Sequence, residues 1–197
     1  MPADGEEKRM MTFDLCKAKP LALALLFAAP AGMAAAGPNC TRDGDFIVVE
    51  VSHGADVGNS YIIRRAGAAS AAACTKKALK GDRIIGKADD PFYFLKLAAP
   101  YLMLDSGTSG TRELVIFDLR SGKQIFQGGY DEASFKADAH GARFFAATQK
   151  KATAANCPEL AVIKKNGMTP VIDIKARFDV TTGLVTKSNE TQCRPTE

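Results

Sequence analysis

Two histidines, His53 and His140, are the side chains of this sequence that titrate near neutral pH without a large shift. His53 stands in Val51-Ser52-His53-Gly54-Ala55-Asp56, which holds the residue types of a nucleophile, a base and an orienting acid. Ser52 and His53 are adjacent, however, and neighbours on an extended chain point to opposite faces, so they do not meet as nucleophile and base. His53 therefore reads as a loop histidine, and His140, beside Gly141, as a turn residue.

The densest group of polar side chains is in residues 105–113. Asp105, Ser106, Thr108, Ser109, Arg112 and Glu113 surround Gly107 and Gly110 between two apolar runs. Hydroxyls, carboxylates and a guanidinium in one loop could cradle an anion or calcium. The segment matches neither the Gly-Lys-Ser/Thr phosphate loop nor the spaced ligands of an EF-hand. It reads as a hairpin loop and as the best candidate for ligand or partner contact, because loops carry function. Asp43, Asp45, Asp105 and Glu113 could supply a hydrolytic acid–base pair, but their spacing does not bring them together. No two cysteines have C-x₂₋₄-C spacing and neither histidine is near one, so no metal site is expected, and no cofactor either.

The elements that position these groups begin after an export signal. Lys17 and Lys19 precede an apolar run at residues 21–29, Pro30 and Gly32 break it, and Ala34, Ala35 and Ala36 offer a small-residue cleavage site. Residues 1–36 are expected to be removed, leaving 37–197 as one β-rich domain in the periplasm or outside the cell. Met10 and Met11 are alternative starts. In composition the Ala-rich signal resembles those of high-GC bacteria. Gly37 and Asn39 do not fit a lipobox at Cys40, so no lipid anchor is expected. The apolar run is too short to persist as a membrane span.

Of five cysteines, Cys16 lies in the signal. Cys40, Cys74, Cys157 and Cys193 are an even set in an oxidising compartment and imply two disulfides, with three pairings open. The expected pairing is Cys40 with Cys74 and Cys157 with Cys193, since each closes a loop of about 35 residues and ties down a chain end.

Short apolar runs separated by turn residues predict antiparallel sheets, as a sandwich, a barrel or hairpins like propeller blades. Residues 46–51 (FIVVEV) suit a buried strand. From Ile172 to Val180 apolar and charged residues alternate, which places the charges on one wet face of a strand. Residues 160–163 read as another apolar strand. One short helix is predicted over residues 71–80, capped by Ser70 and stopped by Gly81.

Two segments echo each other, each reading strand, strand, D-x-x-[ST]-G, strand, with turns at 118–122 and 179–183. The pattern resembles the outer hairpins of β-propeller blades, but the length holds three blades at most and closure usually needs at least four.

The chain carries 26 Lys plus Arg against 22 Asp plus Glu, scattered along its length, which reads as solvated surface. No basic face interleaved with aromatics points to nucleic acid. The expectation is an exported, non-catalytic protein that binds another envelope protein or a small ligand. The alternative is an envelope hydrolase using a carboxylate pair.

Overall fold

The structure is a computed structural model that describes residues 39–67, 71–110 and 112–197. The export signal and Ser70 lie outside the described residues. The described chain is mainly β, with two antiparallel sheets, one short helix and two disulfides.

β1 (Cys40–Asp43), β2 (Phe46–Ser52), β3 (Asn59–Arg65) and β4 (Arg83–Ile85) form a four-stranded meander. The second sheet has seven strands in order of sequence: β5 (Phe92–Ala98), β6 (Tyr101–Ser106), β7 (Arg112–Asp118), β8 (Lys123–Asp138), β9 (Gly141–Ala147), β10 (Thr169–Asp179) and β11 (Leu184–Thr196). Strand β8 serves two neighbours. Its first half, to Tyr130, pairs with β7; from Tyr130 onward it pairs with β9, across a register shift between Asp131 and Lys136.

The seven-stranded sheet thus folds on itself into two layers, and the small sheet adds a third. Alternation along β6 shows the stacking. Tyr101 and Met103 join Ile116, Phe144, Ala176 and Phe178 in one core; Leu102 and Leu104 join Phe46, Val48, Tyr61 and Ile63 in another. The first layer is β1–β4, the second β5 to the first half of β8, and the third the rest of β8 to β11. Leu102 and Leu104 are fully buried, each worth about 2 kcal/mol relative to exposure.

The echoed turns have one design. In each, the glycine N–H donates to the aspartate carbonyl, Gly122 to Asp118 at 2.6 Å and Gly183 to Asp179 at 2.8 Å. Both glycines have left-handed φ, 71° and 69°. Each aspartate Oδ1 accepts a backbone N–H two residues on, from Arg120 and from Thr181.

The cysteines pair as expected, Cys40 with Cys74 and Cys157 with Cys193. Two local expectations are overturned. Residues 160–163 are not a strand but lie in α1 (Leu160–Lys165), which buries Ile163 against Cys157 and Ile172 and ends on Lys164 and Lys165 at its negative pole. The helix expected over 71–80 is only a 3₁₀ turn, Ala71–Cys74. Arg64 takes the carbonyls of Ala73 and Lys77, which a helix would need for its own ladder. The Cys40 disulfide holds the same turn on the first sheet.

Candidate functional site

The segment 105–113 divides between interior and surface. Asp105 is the penultimate residue of β6 and is buried. It accepts hydrogen bonds from Arg112 Nε at 3.1 Å and Tyr130 Oη at 3.0 Å, with Arg112 Nη2 in ion-pair contact. Arg112 also lies over the Tyr93 ring. Burial pushes the Tyr130 phenol up to about 12, so it stays a donor at ordinary pH. Asp105 and Arg112 therefore clamp β6, β7 and β8 together. Thr108 and Ser109 are exposed in the connecting bend, while Ser106 and Glu113 face each other in register and are half-buried.

The carboxylates considered for acid–base chemistry make separate structural contacts. Asp43 accepts the Ala99 N–H at 2.8 Å, and Asp45 lies in the β1–β2 turn. Asp105 opposes Leu114, so Glu113, one residue earlier on β7, points to the other face and accepts from Gln127 at 2.6 Å. His53 bonds Ser60 at 3.0 Å, whereas Ser52 Oγ accepts the Gly54 N–H at 3.4 Å. Among the described residues no group of three or more His, Cys, Asp and Glu is placed to hold a metal ion.

Strand pairing brings together a group that linear spacing hides. Lys136 of β8 is directly opposite Arg143 of β9, and Arg143 directly opposite Arg177 of β10. All three are exposed, on the face of the third layer that points away from its core. Register partners in antiparallel strands have Cβ atoms about 5 Å apart, and like charges placed so repel. Thr186 of β11 continues the row. Lys136, His140, Arg143 and Arg177 line a depression of about 180 Å³, and Lys175, Arg177, Lys187 and Ser188 one of about 240 Å³ beside it.

Three carboxylates edge the row. Asp138 is held below the usual range first by the His140 backbone N–H, with the positive field of His140 and Arg143 adding to it. Asp179 is lowered first by the Thr182 N–H and then by Thr181, with Arg177 3.7 Å away. Glu190 pairs with Lys175 at 2.7 Å. Among the described residues Lys136 and Arg143 have no ion-pair partner.

At the other end of the same face Asp173 is fully buried. It accepts from Arg194 Nε at 2.6 Å and Gln192 Nε2 at 3.2 Å, and Gln192 also reaches Asp131 at 3.0 Å. Among the described residues Asp173 Oδ1 has no hydrogen-bond partner. Burial raises this carboxyl, and the nearby Asp131 charge adds to the rise.

The alternation in β10 marks Arg177 as wet, but its alignment with Arg143 and Lys136 depends on pairing across three strands. Compared with known proteins, the chain matches no family model, no curated relative and no solved structure.

Proposed function

We propose that this chain is an exported, non-catalytic binding protein that docks an acidic protein of the cell envelope on the outer face of its third layer. The row Lys136, Arg143 and Arg177 carries this reading. Aligning three like charges lowers the stability of the free protein, and an acidic partner would relieve that repulsion and be steered onto the face. Two formed disulfides suit an oxidising compartment, and no helix among the described residues is long and apolar enough to cross a membrane. The signal pattern in residues 17–36 supports export.

The test is paired capture from an envelope extract with the oxidised chain and its Arg143→Glu/Arg177→Glu variant. A partner held stoichiometrically by the wild type, released by moderate salt and ignored by the variant supports the reading. Equal capture by both proteins, or none by either, removes it.

A further inference from the structure

A second, separate basic site lies where the first and second layers meet. Register places Arg65 opposite Phe46 and Arg83 opposite Ile63, and both apolar partners belong to the core between these layers. Arg65 and Arg83 are thus diagonal neighbours on one face of the small sheet, both exposed at the end of that core. Arg120 reaches the same place from the β7–β8 turn. Two adjoining depressions of about 290 Å³ and about 300 Å³ share Phe46, Arg65 and Arg120, with Ile63, Arg83 and Leu119 lining one and Ala99 and Pro100 the other.

Each guanidinium is held in a way that leaves donors free. Arg65 stacks on Phe46, its carbon 4.4 Å from the ring centre. Arg83 donates one bond to the Leu119 carbonyl at 3.3 Å. Arg120 is set by Asp118 and by Tyr101 Oη at 3.0 Å. Among the described residues neither Arg65 nor Arg83 has a carboxylate partner. Asp82, which also lines the cleft, is occupied by Arg64 at 2.6 Å, and Asp45 is the other acid there. The Arg83 guanidinium packs against the β7–β8 turn at Gly122.

We infer that this cleft binds a small organic acid, a carboxylate carried on a flat or apolar body. Guanidinium forks match carboxylate oxygens in a bidentate way that ammonium groups do not. Ala99 and Pro100, partly exposed beside the guanidinium groups, suit the apolar body, and the volume is that of a small-ligand site rather than a polymer groove. The cleft lies on the first and second layers, so the inference stands apart from docking on the third.

The experiment is amide NMR titration of the oxidised chain with benzoate, with its neutral analogue benzamide, and with inorganic phosphate, each to about 20 mM, enough to see millimolar affinity. Saturable benzoate shifts at Arg65, Arg83, Leu119 and Gly122 are expected, with weaker phosphate shifts and none from benzamide. Arg65→Gln/Arg83→Gln should weaken benzoate about tenfold or more, in line with loss of charge-assisted forks, whereas Arg143→Glu should leave it unchanged. Arg65→Gln alone changes an exposed side chain and serves if the double variant does not fold. No benzoate shift, equal shifts from benzamide, tighter phosphate than benzoate, or undiminished binding by Arg65→Gln in a folded protein would overturn the assignment.

Discussion

The two outer faces of the layered stack are managed in opposite ways. On the first layer the outer face is apolar: Cys40, Ile47, Val49 and Ile62 are buried there with Val51, Ala66 and Ala73 packed against them. The Cys40–Cys74 disulfide and Arg64 hold the covering segment. Arg64 bonds the carbonyls of Ala73 and Lys77 and both oxygens of Asp82. On the third layer much of the outer face is left to water and carries Lys136, Arg143, Lys175 and Arg177. An arginine at the covered end is saturated by structural hydrogen bonds, and those at the open end keep donors for something else. The difference is the reason the proposed partner is placed on the third layer rather than on the first.

The largest test of this contrast is removal of the cover's staple. Cys40→Ala/Cys74→Ala should lose about 3–4 kcal/mol in urea unfolding, from loop entropy, and should raise binding of a hydrophobic dye as Ile47 and Val49 are uncovered. Unchanged dye binding would mean that the segment covers nothing. Arg64→Ala comes next, at about 3 kcal/mol, because it leaves Asp82 charged, poorly solvated and unpaired. A loss of only a few tenths would make this pair an ordinary surface contact.

The two ends also answer acid differently. Hydrogen bonds from Arg64 hold the Asp82 carboxyl below its ordinary value. Its contribution to stability is full above the unfolded aspartate pKa and is lost as pH falls through the depressed one. Asp173 is raised by burial, so its contribution is full below the unfolded pKa and is lost as pH rises through the raised one. Urea midpoints from about pH 3 to pH 7 should show the deficit of Asp82→Asn growing with pH. Over the same range Asp173→Asn should gain on the wild type. Parallel curves for the two variants would erase the contrast.

The smallest effect is at the open face. Arg143→Ser should stabilise the protein by about 0.5 kcal/mol at low salt by relieving cross-strand repulsion, and the gain should vanish as salt screens it. A loss of stability at low salt would show the row to be internally satisfied.

Much of this fold is legible in the amino-acid sequence. The alternation in β10 reports its wet face, and the D-x-x-[ST]-G turns close with the glycine geometry their composition implies. Short apolar runs were less decisive. Residues 160–163 suit a strand or a helix equally until Cys157 and Ile172 claim one side of Ile163. The alanines and lysines of 71–80 favour helix locally, yet Arg64, on the preceding strand, takes the carbonyls of Ala73 and Lys77. The candidate sites were hidden for a related reason. Arg64-Arg65 reads as a scattered basic pair, although its members serve opposite faces of β3. Spacing in residues 105–113 does not reveal that Asp105 and Arg112 turn inward to Tyr130.

Strand β8 has a further consequence. One uninterrupted backbone supplies the edge of the second layer and the opening strand of the third. That covalent link and the core packed between the two layers tie them together, so the two should protect their amides against exchange as a single cooperative unit. The first layer shares no strand with them, and hydrogen exchange should show it opening at lower free energy. A ligand in the cleft between the first and second layers would act as a bolt across that weaker seam.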